Sequence, residues 1–321
     1  MTRSPKAMQI YVKLFLGRDT SYQFSCIELL TLSFFYANFL NTSMDKELQG
    51  MSNTTAQNVR SMTISAIPGI PLIKTGDDLG QIIAKALSEN GIVLSDGDVL
   101  VLAQKIVSKA EGRWVALSSV TPSRQAIDLA QQVGKDPRHV EVVLSESDEV
   151  IAYSRKNALI TAHRLGFVMG DAGIDHSNVG DDGLVLLLPK DPDSSARQLK
   201  KQLHDLCGAD VRIIINDSFG RGWRCGSIGT TIGIAGFSPI KNYIGKPDLF
   251  GRVLQTSRVA VADELAAAAS FMMGQADEGA PVVMIRGADL PSTEGTTQQL
   301  IRPKEDDLFR KTSSTIAVKS A

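Results

Sequence analysis

The chain has 321 residues, 43% of them hydrophobic, with 34 Lys and Arg against 35 Asp and Glu. That length and apolar content support one large domain or two modest ones with a real core, and exclude disorder and fibrous repeats. A net charge of −1 gives no overall field for nucleic acid or an anionic membrane, so small molecules or other protein chains are the expected partners. Cys26, Cys207 and Cys225 stand far apart without a CxxC pair, which argues against a disulfide framework or a thiolate zinc site and for a reducing cytoplasm.

The first sixty residues differ from the rest: Tyr11, Phe15, Tyr22, Phe24, Phe34, Phe35, Tyr36 and Phe39 crowd there. The uncharged run from Leu29 to Met44 carries Asn38, Asn41 and several hydroxyls, and is too short and polar for a spanning helix. No small-residue cleavage site stands out. Residues 1–62 therefore read as an extension, disordered or foreign to the unit that follows, with Met51 or Met62 as alternative starts and SNTTAQNVRS (52–61) as linker.

From Met62 onward strand and helix signals alternate. Thr63 to Ile67 reads as a strand ending at Pro68-Gly69, with a second extended piece from Pro71 to Lys74. Asp77 or Asp78 can cap a helix with Leu79, Ile82, Ile83, Ala86 and Leu87 on one face. A turn at Asp96-Gly97 leads to a buried strand from Val99 to Ala103. Helices are expected over Pro122 to Val133 and Pro137 to Ser145, each entered through its proline. VIAYSRKNALITAHRLGFVMG (150–170) reads as two or three short strands. Gly183 to Leu188 is another strand, and Asp193 or Ser194 caps a helix with Leu199, Leu203 and Leu206 facing inward. Val211 to Ile215 reads as a buried strand ending at Asn216-Asp217-Ser218, then come an Ala-rich helix (262–273), the loop GQADEGAP and a strand from Pro281 to Arg286. No repeat is present, and the sum is a mixed α/β unit whose strand order cannot be read from the sequence.

Two acidic features could carry chemistry. MGDAGIDHSNVGDDG (169–183) gathers Asp171, Asp175, Asp181 and Asp182 with Asn178 on a glycine-rich backbone, which suits a hard divalent ion or a solvated acidic turn. It fails the calcium-loop pattern. Asp217 with Ser218 sits at a strand end, where α/β proteins place their chemistry, or else caps a turn. Arg221 and Arg224 follow closely, and acids for metal beside guanidinium groups for anions suggest phosphoryl chemistry. CGSIGTTIGIAG (225–236) reads either as a phosphate loop or as a closely packed glycine-rich strand. Lys74, Lys105 and Lys109 could neutralise a triphosphate. His139, His163, His176 and His204 form no HExxH pair, and GxSxG is absent, which excludes the common zinc hydrolase and esterase patterns.

Taken in order, IPGIPLIKTGDDL, GDVLVLAQKIVSKAEGR, MGDAGIDHSNV, INDSFGRGWRCGSIGTTIGIAG, DLFGR and DELAAAASFMMGQADEGAPVVMIRG resemble the coenzyme F420:L-glutamate ligase family, collinearly from about Ile64 to Arg286. The resemblance implies an α/β (mixed α+β) fold of mixed sheets with packed helices, a catalytic unit over 63–310 and a flexible tail over 311–321. It implies a GTP-dependent ligase that adds L-glutamate to the deazaflavin coenzyme F420-0 through an acyl phosphate, releases GDP and phosphate, and extends a γ-linked tail. Implied metal ligands are Asp175, Asp217, Ser218 and Gln275, for two Mg²⁺ or Mn²⁺ ions with K⁺ as a further cofactor. Implied GTP contacts are Ile67, Pro68, Gly69, Ile70, Gln104, Lys105, Lys109, Asn178, Met273, Gly274, Gln275, Ala276, Asp277, Glu278, Gly279 and Ala280. Asp175, Asp217 and Lys109 would be catalytic, with Arg221 or Arg224 as further cations for the leaving phosphate, and a cytoplasmic homodimer is expected. Some members carry Thr at Ser218 and Glu at Gln275; the second difference removes a charge and weakens one metal site. A nucleotide-binding regulator without turnover and a deazaflavin redox protein are the alternative classes.

Overall fold

Val99–Ala103 has no polar side chain, a composition that suits a strand covered on both faces. It stands at the centre of the main sheet, with Val99 to Leu102 fully buried. In the computed structural model, which describes residues 59–155, 157–177, 183–309 and 316–317, the elements in chain order are β1 (Thr63–Ala66), α1 (Leu79–Glu89), β2 (Val99–Ala103), α2 (Gln104–Ala110), β3 (Trp114–Ala116), α3 (Arg124–Val133), α4 (Pro137–Ser145), β4 (Ser147–Ser154), β5 (Ala158–His163), β6 (Val168–Gly170), β7 (Leu184–Leu186), α5 (Pro192–Cys207), β8 (Arg212–Arg221), β9 (Arg224–Ala235), β10 (Lys241–Asn242), β11 (Arg258–Val259), α6 (Val261–Met273), β12 (Val282–Arg286) and β13 (Ile316–Ala317). The chain from Ser61 onward forms a compact unit of its own.

The main sheet has the order β1-β12-β2-β8-β9. β2 and β8 are parallel, and every other pair is antiparallel. Alternation along the strands sends Val101, Ile214 and Val283 to one face, under the Ala-rich α6, and Leu100, Ile213 and Met284 to the other, under α1 and α5. A second sheet, β13-β4-β5-β6, carries α3 and α4, whose Leu129, Val133 and Val143 pack on Val150 and Leu159. The mixed α/β class expected from the sequence is therefore the class observed. Among the described residues no helix is long and apolar enough to cross a membrane.

Local chemistry explains the element ends, including those that differ from the sequence reading. Asp78, not Asp77, caps α1 by accepting from Gln81 N. Ser123 caps α3, so Pro122 lies outside it, whereas Asp136 caps α4 with Pro137 in its first turn. Asp191 caps α5, one proline earlier than Asp193 or Ser194; Asp193 is diverted to the Ile234 N–H at 2.8 Å and to Thr297. Leu206, expected inside, is 43% exposed. Pro71 to Lys74 joins no strand, and QKIVSKA, left unassigned between strands, forms α2.

The largest difference concerns β8, which does not stop at Ile215 but runs through Asp217 to Arg221, paired with the twelve-residue β9. CGSIGTTIGIAG is thus a strand rather than a phosphate loop. Its glycines are a packing requirement: a Cβ on Gly229 would stand 2.4 Å from the Ala266 carbonyl oxygen, and one on Gly233 2.6 Å from that of Pro192. Bare backbone is what lets α6 and α5 close on opposite faces. Gly233→Val is expected to destabilise the fold by about 1–3 kcal/mol or more, read as a fall in thermal midpoint.

Glu146 ties the second sheet to the rest. Its carboxylate accepts from Arg113 at 2.9 Å and Arg164 at 3.2 Å, with His163 Nε2 at 3.5 Å, while Arg113 Nε also donates to the Leu188 carbonyl at 2.8 Å. Burial opposes its charge, but the adjacent His163 ring and the two guanidinium groups outweigh burial and hold the carboxyl at about 2. A depressed folded pKa gives stability that is present above the ordinary value of 4.5 and is lost as pH falls toward 2. Acid titration of stability should accordingly be steep across that window and flatter in Glu146→Gln, as measured by denaturant melts at stepped pH.

Candidate active site

Because β12 is antiparallel to both β1 and β2, and β8 is parallel to β2, the carboxyl ends of β1 and β2 and the amino end of β12 meet at one edge of the sheet. Two hydrogen bonds mark that edge, Ile67 N to Val282 O at 2.9 Å and Ala103 N to Pro281 O at 2.8 Å. Asn216 lies level with Ala103, so Asp217 and Ser218 stand just beyond the edge on the protruding half of the β8–β9 hairpin. Four candidate segments leave from this edge: Ile67 to Ile70 after β1, α2 after β2, Asp217 and Ser218 on β8, and Met273 to Ala280 before β12.

The edge is organised by charge. Lys105, in the first turn of α2, places Nζ 2.5 Å from Asp175 Oδ2. Asp175 is fixed by reciprocal backbone hydrogen bonds with Leu186, and its Oδ1 accepts from Ser177 N at 2.7 Å and Ser177 Oγ at 2.8 Å. Asp217 belongs to the same group. Burial raises its carboxyl to about 6, the Asp175 charge adds to the rise, and the Ser218 N–H and the Lys105 ammonium oppose it. Lys109, one turn after Lys105, lies 5.9 Å from the Trp114 ring centroid; burial and the Lys105 charge lower its pKa while Asp175 raises it. Ser218 Oγ donates to Gln275 Oε1 at 2.9 Å, and Gln275 Nε2 donates to Ser270 at 3.3 Å, so the loop after α6 is tied to β8.

The sequence-derived candidates thus divide. Asp175, Asp217, Lys105 and Lys109 interact with one another, and Ser218 and Gln275 are joined beside them. Gln104 is buried, its Oε1 accepting from Ser108, and its Nε2 has no hydrogen-bond partner among the described residues. The same holds for Oδ1 of buried Asn216, which the sequence reading passed over. Pro68 offers its carbonyl to Asn90, Gly69 takes φ 85°, and Ile67 is core. Met273 is buried at the end of α6, Gly274 takes φ 73°, and Glu278 folds back so that its carboxylate accepts from Ala276 N at 2.8 Å, leaving Asp277 and Gly279 exposed. Asn178, Asp181 and Asp182 lie outside the described residues. Arg221 and Arg224 do not join the acids: they pair across the exposed hairpin tip, four residues beyond Asp217, or about 13 Å of strand. Lys74 is exposed on the loop before α1. Asp171, another of the loop's aspartates, is a half-buried partner of Lys135.

The chemistry of this donor set suits a hard cation. No three His, Cys, Asp or Glu side chains cluster as a metal cage among the described residues. Two carboxylates with a hydroxyl and an amide oxygen, completed by water and substrate oxygens, are how Mg²⁺ is commonly held. A carboxyl raised by burial beside a second carboxylate is a deficit of positive charge that such an ion offsets.

Acids and lysines converging at the carboxyl edge of a mixed sheet define an α/β enzyme built to handle an anionic substrate. The model of the F420-0:Gamma-glutamyl ligase family matches residues 69–287. A coenzyme F420:L-glutamate ligase of Methanothermobacter thermautotrophicus is 47% identical over 251 residues, covering 78% of this chain and 99% of that protein. Proteins of the same name from Methanocaldococcus jannaschii and Archaeoglobus fulgidus are 43% and 40% identical, over 75% and 76% of this chain and 94% and 95% of theirs. The chain belongs to the F420-0:gamma-glutamyl ligase family.

A raised folded pKa on an acid means that ionising it opposes folding as pH rises from the ordinary 3.8 through about 6. Asp217→Asn should therefore raise the melting temperature of metal-free protein at pH 7, by up to about 3 kcal/mol equivalent, with the gain vanishing near pH 4. Calorimetry at the two pH values measures it.

Proposed function

We propose that the protein joins L-glutamate to coenzyme F420-0 and lengthens the resulting γ-linked tail, driven by GTP. The observation that carries the reading is the juxtaposition of Asp175 and the desolvated Asp217 around Lys105, in a chain of this ligase family.

On this reading a carboxylate oxygen of the acceptor attacks the γ-phosphorus of GTP, the bond from that phosphorus to the bridging oxygen breaks, and GDP leaves. The product is an acyl phosphate. The glutamate nitrogen then attacks the acyl carbon, the carbon–oxygen bond to phosphate breaks, and the amine gives up its proton as the amide forms. Lys105 and Lys109 meet the nucleotide phosphates, and the otherwise unpaired Gln104 Nε2 contributes a donor. Ile67 to Ile70 and the loop from Met273 to Ala280 border the same edge and hold the nucleotide. Asp175, Asp217, Ser218 and Gln275 would hold Mg²⁺ or Mn²⁺, which supplies neutralisation of the charge gathered on the phosphate oxygens. Positioning three substrates by many modest contacts is the main work of such a site. A cytoplasmic homodimer that also uses K⁺ completes the proposal.

Mass spectrometry of F420-0 incubated with enzyme, glutamate, GTP and Mg²⁺ or Mn²⁺ tests it. A gain of one or more glutamyl residues is expected with GTP, and an unchanged mass under every condition sinks the ligase reading. Asp175→Asn and Asp217→Asn should each cut the rate by at least about 100-fold, the scale for removing a group that stabilises transition-state charge.

A further inference from the structure

The turn that delivers Asp175 is strained. Asp171, Ala172 and Gly173 take φ of 49°, 53° and 69°, three successive residues in the left-handed region, and only the last is glycine. Left-handed backbone costs an ordinary L-residue about 1–2 kcal/mol, so such a turn persists only when its surroundings impose it. Ala172 is fully buried, and a Cβ on Gly173 would stand 2.8 Å from Met169 and 3.0 Å from Leu188, which seals the turn from beneath.

The polar side of the turn is held by the α3–α4 pair. Lys135, between the two helices, donates to Asp171 Oδ2 with its side chain only 14% exposed. The buried His139 of α4 places Nε2 3.8 Å from Asp171 Oδ1, and its Nδ1 lies 3.0 Å from His176 Nε2. The short contact between the two rings joins α4 to the residue after Asp175, with the donor set by the tautomer of the pair. Burial works against the charge on Asp171, but His139 and Lys135 outweigh it and keep the carboxyl below its ordinary value. The chain of contacts therefore grips both ends of the segment, Asp171 at its start and His176 immediately after Asp175.

We propose that Lys135 and His139 are positioning residues, which hold the strained turn through Asp171 and His176 and so set the Asp175 carboxylate in the site. The inference rests on the reading of Asp175 as a metal ligand. The second sheet and its helices then serve as a brace for a ligand that the main sheet cannot reach. Supporting residues of this kind typically change metal affinity by about 10–100-fold when removed.

The test uses the full chain without substrates and follows Mn²⁺ binding by loss of the free-ion electron paramagnetic resonance signal. Lys135→Met and His139→Leu, each checked by circular dichroism for a cooperative melt, should weaken Mn²⁺ binding by about tenfold or more. Lys135→Arg, which keeps the charge, should bind close to wild type. In glutamate addition the two weakened variants should need more Mn²⁺ for half-maximal rate while kcat at saturating Mn²⁺ returns toward wild type, because the ligand is misplaced rather than lost. If His139→Leu does not fold, the contrast between Lys135→Met and Lys135→Arg decides. Wild-type affinity in the folded Lys135→Met protein overturns the inference alone. Wild-type protein that binds no Mn²⁺, alone or with GTP present, overturns the metal reading of the site, and the inference with it.

Discussion

The contact between the Lys105 ammonium and the Asp175 carboxylate, beside the desolvated Asp217, is the interaction on which the site depends. Two carboxylates brought together with little water between them repel one another, and each loses hydration that only a nearby cation restores. Lys105 offsets part of the charge of both acids, and Lys109 adds a second cation that interacts with Asp175. Burial, with the Asp175 charge adding to it, lifts the Asp217 carboxyl to about 6, and burial, with the Lys105 charge adding to it, lowers the pKa of half-buried Lys109. A structure optimised only for stability would not leave this imbalance at the rim of its main sheet. Charge frustration of this sort marks places where a ligand completes the balance.

Topology explains why these charges meet. Asp175, Lys105 and Asp217 come from three distant parts of the chain, and no local pattern brings them together. The parallel pairing of β2 with β8 joins Lys105 and Asp217, since it sends α2 and the far half of β8 off the same edge, and the bridge to Leu186 brings in Asp175. α6 returns its carboxyl end to that edge, where Gln275 meets Ser218, and this approach requires Gly229 to be bare so that the helix backbone can come close. The glycine pattern that resembled a phosphate loop is therefore connected to the site indirectly, through helix packing rather than anion contact.

Much of the fold is legible in the sequence because short-range physics fixes it. The apolar run of β2, the Asp-Pro start of α4 and the Ala-rich α6 each carry a signal within one element. Where the sequence reading fails, a tertiary partner prevails over a local signal. Asn216-Asp217-Ser218 has the composition of a turn, yet β9 captures it as strand. Asp193 is a good cap residue, but β9 and Thr297 claim its carboxylate. α2 is seven residues long, too short for periodicity to announce, although the spacing of Ile106, Val107 and Ala110 with lysines at 105 and 109 is there to suggest it. Composition marks the loop with its four aspartates and position at a strand end marks Asp217, whereas the choice of Asp175 and its pairing with Asp217 follow only from the family resemblance.

The group around Asp171 is the least legible, for a physical reason. Lys135, His139, Asp171 and His176 are ordinary residues singly, and nothing in spacing relates residue 135 to residue 171. Their relation exists because α3 and α4 pack on the second sheet and present Lys135 and His139 to a turn that no isolated peptide would hold. The left-handed residues 171–173 are the local trace of that relation, since backbone strain in ordinary residues implies a partner elsewhere that maintains it. The main sheet fixes Asp217 directly through strand pairing, but Asp175 rides on a turn and a two-residue bridge to Leu186. Two acids that must meet at one point are thus positioned by different means, one by a sheet and one by a brace, and the brace is where small changes in packing would reach the site first.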